Sequence, residues 1–287
     1  MREFKGKVAV VTGGASGVGR AIVALLAREG ARLVIADINQ ESIEKARKEL
    51  AAKGLEVDGM QVDVTRAESV QALADHVFAS YGNVHLLFNN AGVGIKEAKR
   101  RIWTLPEQDW QWAYAVNVMG VIHGIRSFVP RMLERGEEGH VINTSSGNGG
   151  ISSLPTTPVY ASSKAAVTSI TEVLHYQFLM DGSKLQAHVL FPGPHLVNTN
   201  ILNSETSRPE AFRSEGQAPA AYVDMKALAE SSGVAFQLTE PEEVADMAIE
   251  GIRDGRFWIL SKLGKSDENL RTRTKSILER ANPELPQ

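Results

Sequence analysis

The apolar run Lys7-Val8-Ala9-Val10-Val11-Thr12 passes directly into Gly13-Gly14-Ala15-Ser16-Gly17-Val18-Gly19, and helical periodicity follows from Arg20 to Glu29. A short β-branched run without polar alternation reads as a strand covered on both faces, as in a parallel sheet. Strand, glycine turn and helix in that order present backbone N–H groups and a helix N-terminus to a phosphate. Gly17 and Gly19 would let the backbone approach a pyrophosphate, while Gly13 would serve the tight turn. A turn simply packed against the sheet answers the same motif when it stands alone.

The following segments extend this pattern. Arg32-Leu33-Val34-Ile35-Ala36-Asp37 is a second strand that closes on an acid 18 residues beyond Gly19. A dinucleotide fold places there the carboxylate that binds the adenosine ribose hydroxyls. Such a carboxylate repels a 2′-phosphate, which favours NAD over NADP. An Asp after a strand can also be the N-cap of the next helix. Glu41 to Lys53 reads as a charged amphipathic helix, and Leu55 to Val62 as a third strand ending at Asp63-Val64-Thr65. Asp63 or Thr65 would cap a helix from Arg66 to Tyr81. Leu86-Leu87-Phe88 runs into Asn89-Asn90-Ala91-Gly92, whose two amides suit a polar wall beside a bound adenosine. Strands at His140–Thr144, Gln186–Phe191 and Phe257–Leu260 bring the count to seven. Strands and helices alternate with no repeat and no Pro/Gly linker across all 287 residues. The fold expected is α/β, one doubly wound parallel seven-stranded sheet in a single domain.

Chemistry concentrates in Tyr160-Ala161-Ser162-Ser163-Lys164, with Ser146 upstream at a strand end. A tyrosine and a lysine four residues apart on a helix share one face and can reach one pocket. A phenol titrating near ~10 is a poor base, and a nearby ammonium favours the phenolate. Alone, the pair is equally the surface of an ordinary amphipathic helix. Asn117 in the apolar segment Val116–Ile122 needs a partner if buried. Trp110, Trp112 and Tyr114 read as packing, and Lys96 to Arg101 as a solvated basic loop. From His195 to Glu240 the periodicity dissolves into a partly helical lid, in which Met225 and the alanines between Ala218 and Ala229 suggest a packing face. Pro241-Glu242-Glu243 opens a helix, with Pro early and acids in its first turn. A charged C-terminal helix from Ser266 to Ala281 and a proline-ended tail close the chain (266–287).

Other chemistries are disfavoured. Without cysteine there is no disulfide, thiol catalysis or Cys-ligated zinc, and the seven histidines show no metal-binding spacing. A net charge of −3 carries no nucleic-acid or anionic-membrane signal. Arg2, Glu3, Lys5 and Lys7 place charges where a signal peptide needs its apolar core, and the run Ala21–Ala27 is too short to cross a bilayer. A cytoplasmic protein that binds neither membrane nor nucleic acid is the expectation.

Taken together, Thr12-Gly13-x-x-x-Gly17-x-Gly19, Asp63-Val64, Asn89-Asn90-Ala91-Gly92, Asn117, Ser146, Tyr160-x-x-x-Lys164 and Pro192-Gly193 resemble the classical short-chain dehydrogenase/reductase family over nearly the whole chain. The resemblance implies a Rossmann fold and a catalytic tetrad of Asn117, Ser146, Tyr160 and Lys164. Tyr160 would take the proton of a substrate hydroxyl as hydride leaves to nicotinamide. Lys164 would bind the nicotinamide ribose and depress the Tyr160 pKa. Ser146 would hold the substrate oxygen, and Asn117 a water linking Lys164 to solvent. NAD would lie against Gly13, Ser16, Gly17, Val18, Gly19, Asp37, Asp63, Val64, Asn90, Ala91, Gly92, Tyr160, Lys164, Pro192, Gly193, Val197 and Thr199.

Two departures stand out. Ser146 precedes Tyr160 by 14 residues, one more than the family pattern, which leaves Ser145 as an alternative. Two residues are also inserted before Thr199, so Val197 or Asn198 could take its place at the nicotinamide carboxamide. His195 is either a pocket residue or an exposed loop histidine. A lid of residues 195–240 implies a bulky, largely apolar alcohol or ketone. Phe128-Val129-Pro130-Arg131-Met132, Gly139-His140-Val141 and Asn198-Thr199-Asn200-Ile201 are similar to dehydrogenases of benzylic alcohols in lignin-derived aryl ethers; steroid and hydroxyacyl substrates stay open. The alternatives are a carbonyl reductase working in the opposite direction and a non-catalytic NAD-sensing protein. The family resemblance also implies a homo-oligomer, a tetramer or dimer, through the helices Trp110–Glu134 and Tyr160–Met180.

Overall fold

The computed structural model describes residues 1–98, 100–213, 237–261 and 266–286. Its centre is a seven-stranded sheet in which every pairing is parallel. The strands are β1 (Val8–Thr12), β2 (Arg32–Asp37), β3 (Asp58–Gln61), β4 (Leu86–Asn89), β5 (Gly139–Thr144), β6 (Leu185–Leu190) and, after two short strands described below, β9 (Trp258–Ile259). Their spatial order is β3-β2-β1-β4-β5-β6-β9. All of β1 and β5 is buried; β1 accordingly reads as an unbroken apolar run, while β5 buries His140 and Asn143 with hydrogen-bond partners.

Side-chain alternation in β1 sends Ala9 and Val11 to one face and Val8 and Val10 to the other. The first face is covered by α1 (Gly17–Arg28), α2 (Gln40–Ala51) and α7 (Pro241–Arg253), through Ile22, Leu26, Ile43, Val244 and Ile252. The second is covered by α3 (Ala67–Tyr81), α5 (Gly120–Arg135) and α6 (Pro158–Met180), through Val70, Phe128 and Leu174. Strand order reverses between β1 and β4, so a crevice opens at the carboxyl ends of the strands there, where doubly wound folds bind ligands.

The elements differ from expectation at three places. The third strand pairs only over Asp58–Gln61, because it is the sheet edge and its residues are half-buried or exposed rather than sealed on two faces. The helix expected from Trp110 starts at Glu107 and runs through a π-turn at Ala115–Met119, which separates α4 (Glu107–Tyr114) from α5 without a break. Within 195–240, β7 (Leu196–Val197) and β8 (Leu238–Thr239) form a separate two-stranded parallel sheet, and short 3₁₀ turns cover Asn200–Ser207 and Glu210–Phe212. The expected packing face with Met225, between Ala218 and Ala229, lies outside the described residues. The C-terminal helix α8 runs Ser266–Glu279. Among the described residues no helix is long and apolar enough to cross a membrane, and no cluster of three or more His, Asp or Glu could hold a metal ion.

Candidate active site

A cavity of about 790 Å³ occupies the crevice. Its floor is the loop after β1, where Gly13 and Gly17 both take positive φ (63° and 50°). Gly17 is doubly constrained, since a Cβ there would also sit 3.0 Å from the Thr199 methyl. Thr199 therefore rests on the glycine loop, and its hydroxyl caps the following turn at Ile201 N (3.4 Å). Gly19 has a different job from the one expected. A Cβ there would drive into the Gly13 carbonyl and meet Asn90 Nδ2 at 2.7 Å, so its bareness serves close helix–strand packing. It does not line the cavity.

Asp37 ends β2 at the cavity wall. Its Oδ2 accepts from Ala15 N (3.1 Å) and its Oδ1 from Asn39 N (3.2 Å). Burial pushes the carboxyl up, and these N–H groups act against that. Asp37 is not the N-cap of α2; Asn39 is, accepting from Ser42 N at 2.9 Å. Asp63 lines the cavity beside Val64 and binds Thr65 N (2.9 Å) and Thr65 Oγ1 (2.7 Å), so neither Asp63 nor Thr65 is the N-cap of α3; that position is Arg66, without a side-chain bond. The amides after β4 hold strand ends together. Asn89 Nδ2 donates to Asn143 Oδ1 (2.8 Å), and Asn90 Nδ2 to the Thr12 carbonyl (3.1 Å). Asn90, Ala91 and Gly92 still face the cavity, whereas Asn89 is buried behind it.

The reactive wall comes from β5 and α6. Ser146, Tyr160 and Lys164 line the cavity together. Burial raises the Tyr160 phenol, and a hydrogen bond with Ser146 opposes it. The lysine expected to depress this phenol does not prevail, because burial disfavours charge on both groups: Lys164 itself is lowered to about 8 by desolvation. Its Nζ donates to the Thr144 carbonyl at 2.9 Å and lies 5.8 Å from the Tyr160 ring centre. Ser145 is separated from this chemistry. Both serines line the cavity, but Ser145 Oγ is buried and donates to the Lys164 carbonyl at 2.8 Å, so it ties β5 to α6, while Ser146 bonds to Tyr160.

Asn117 sits in the π-turn, fully buried and outside the cavity lining. Its Oδ1 accepts from Val93 N (2.8 Å), and its Nδ2 donates to the Val93 carbonyl (3.1 Å) and to Ser163 Oγ (3.0 Å). The odd amide in an apolar helix is thus explained by the main chain of Val93, and its side chain is committed there. Ser163 Oγ in turn donates to the Tyr160 carbonyl (2.7 Å).

Pro192, Gly193, Val197 and Thr199 all line the cavity, and so does the exposed His195. The lining also includes Asn148, Leu154, Leu260 and Asn269, none of which the sequence singled out as cavity residues, and Ile201. Asn148 organises the loop after β5, donating to Thr157 Oγ1 (2.7 Å) and accepting from Leu154 N (3.0 Å). Arg208 fastens the loop after β7 to α4. It is buried, pairs with Asp109 at 2.7 Å and lies 4.8 Å from the Trp112 ring. Glu97, inside the loop read as a solvated basic cluster, is also fully buried. Partners so far away in sequence leave no local signal.

A parallel α/β sheet, a glycine loop with positive φ and a Ser–Tyr–Lys wall on one cavity define a nucleotide-binding oxidoreductase architecture. Residues 7–210 match the family model for short chain dehydrogenase, and the chain belongs to the short-chain dehydrogenase/reductase family. A short-chain dehydrogenase/reductase of Burkholderia phymatum, solved in complex with NAD, superposes with a TM-score of 0.88 at 39% identity, over 100% of this chain and 99% of that one. The C alpha-dehydrogenase of Sphingobium sp. strain SYK-6 is 31% identical, over 91% of this chain and 82% of its own. A CLA biosynthesis dehydrogenase/reductase of Lactiplantibacillus plantarum is 29% identical, over 91% of this chain and 90% of its own.

Proposed function

We propose that this oxidoreductase interconverts a secondary alcohol and a ketone with NAD, on a bulky and largely apolar or aromatic substrate. The observation that carries the reading is the placement of Ser146, Tyr160 and Lys164 on the same cavity as the Gly13–Val18 loop and Asp37. The glycine cradle fits a dinucleotide, because the positive φ of Gly13 and Gly17 turns bare main chain along the cavity, where a pyrophosphate can approach it. When bound, the nicotinamide accepts or returns the hydride. Ser146 holds the substrate oxygen, and Tyr160 takes the hydroxyl proton as the carbonyl forms. Lys164 spends one N–H on Thr144 and keeps others for a ribose hydroxyl. Asn117 acts through Val93 and Ser163; both Nδ2 hydrogens are used, and its carbonyl and the second lone pair of Oδ1 are left to accept from a water.

NAD is supported over NADP by Asp37, and by Lys164 being the one Lys or Arg among the described residues that line the cavity. A 2′-phosphate would meet a carboxylate and no guanidinium. The aromatic substrate class is supported by the likeness to the C alpha-dehydrogenase and by the apolar side chains of Leu154, Ile201 and Leu260 in the cavity lining. One observation favours the reductive direction as a second reading: burial keeps the Tyr160 phenol protonated, ready to act as an acid toward a ketone. A homo-oligomer, dimer or tetramer, is proposed through α5 and α6; exposed Val173, Tyr176, Leu179 and Met180 support it, and light scattering tests it.

The decisive experiment follows NADH absorbance over a panel of secondary alcohols and ketones with each cofactor. Tyr160→Phe should cut turnover about 10²–10⁴-fold with NADH affinity retained. Substantial residual turnover in that variant would remove Tyr160 from the reaction.

A further inference from the structure

The first turn of α6 is closed from a distance. Thr157 N donates to the Leu154 carbonyl (3.4 Å), and Pro158 has no N–H to satisfy. The Thr157 hydroxyl is engaged by Asn148 Nδ2 (2.7 Å), so the helix has no side-chain cap of its own. Two donors remain, Val159 N and Tyr160 N, and both end on Glu97: Val159 N on Oε2 at 2.7 Å and Tyr160 N on Oε1 at 3.0 Å. Glu97 is fully buried. Burial raises its carboxyl, the two N–H groups lower it, and no cation among the described residues pairs with it. The positive end of α6 is therefore what offsets this charge.

The same loop is pinned twice. Val93 is held by Asn117, whose amide also reaches Ser163, and Ser163 holds the Tyr160 carbonyl. The main chain of Tyr160 is thus fixed at its N–H by Glu97 and at its C=O by Ser163. We infer that Glu97 is a positioning residue for Tyr160, holding the tyrosine's main chain in register with Ser146 and neutralising the helix end beneath it. This rests on the alcohol–ketone reading for its kinetic consequences but not for its geometry. The charged groups around it are Asp109 of α4, with Arg100 and Arg208 paired to that acid, and Lys164 one turn along α6.

The test compares Glu97→Gln, Glu97→Asp and Glu97→Ala with the parent chain labelled with ¹³C-tyrosine. The chain has five tyrosines, and Tyr160 is assigned by its loss in Tyr160→Phe. In Glu97→Gln the uncompensated helix end should favour the phenolate, lowering the Tyr160 titration by about half a unit and leaving the other tyrosines unmoved. Turnover should fall about tenfold or more with KM for both substrates within about twofold, and Glu97→Asp should recover part of the loss seen in Glu97→Ala. An unmoved Tyr160 resonance, with kinetic losses that only follow the thermal midpoint, would overturn the inference. A parent chain without turnover would sink the functional reading alone, because the tyrosine titration still decides the role of Glu97. If Glu97→Ala does not fold, the Gln and Asp variants carry both readouts.

Discussion

Two helices begin at the cavity, and their first turns are finished in opposite ways. At α1 the Ser16 side chain makes no cap bond and the first turn holds no acid, so the positive end stays available to an anion. At α6 the protein supplies the anion itself, with Glu97 seated on Val159 N and Tyr160 N. The difference follows the load each end carries. A diphosphate can be held where donors are left open, whereas a proton-transferring side chain needs its own main chain immobilised. One end is built for exchange and the other for permanence.

The comparison can be broken at either end. The largest effect is expected at the closed end, where Ser146→Ala should cost about 10²–10³-fold in turnover. Ser145→Ala should instead lower the thermal midpoint and leave turnover closer to the parent; the reverse ranking would exchange their roles. At the open end, Ser16→Asp gives α1 an anion of its own. It should raise the thermal midpoint slightly and weaken NAD about 10- to 100-fold in calorimetry, through like-charge contact with the diphosphate. Unchanged affinity would mean that the diphosphate does not use this helix end.

Asp37→Ala should weaken NAD about tenfold and relax discrimination against NADP, read as the ratio of the two dissociation constants. A parent that already prefers NADP would refute the carboxylate argument. The smallest effect is on stability. Lys164 titrates at about 8 in the fold against 10.5 ordinarily, so the unfolded chain binds the extra proton between those values. Stability from this group therefore rises as pH climbs through that window. Thermal midpoints of the parent should gain on those of Lys164→Met from pH 8 upward, and parallel curves would contradict the desolvation.

What the sequence made legible was whatever burial or spacing imposes locally. β1 and β2 were readable because both faces are sealed, and Asp37 falls at the strand end as expected. β3 was overdrawn because an edge strand lacks that signal, and the two-residue strands β7 and β8 have no period to detect. The Ser–Tyr–Lys wall was legible through the family resemblance, and the structure adds what tells the two serines apart: the Ser145 hydroxyl is tied to the Lys164 carbonyl, whereas Ser146 is bonded to Tyr160. The reason for Asn117 was not legible, since its partner is main chain 24 residues away. Glu97 was hidden for the same reason: among Lys96, Arg100 and Arg101 a lone acid looks solvated, and its partners lie 62 and 63 residues onward.

The small sheet of β7 and β8 joins Val197 to Thr239 as neighbours. Paired strands hold their partners about 5 Å apart, so the two ends of the span 198–238 are kept close together. The cost of closing such a span grows only with the logarithm of its length, about 0.6 kcal/mol per doubling. A span closed at its base in this way tolerates changes of length wherever Thr199 keeps its seat on the glycine loop and Arg208 its bond to Asp109. The wall of Ser146, Tyr160 and Lys164 is thus carried by the main sheet and α6, and the span closed by β7 and β8 is anchored apart from it.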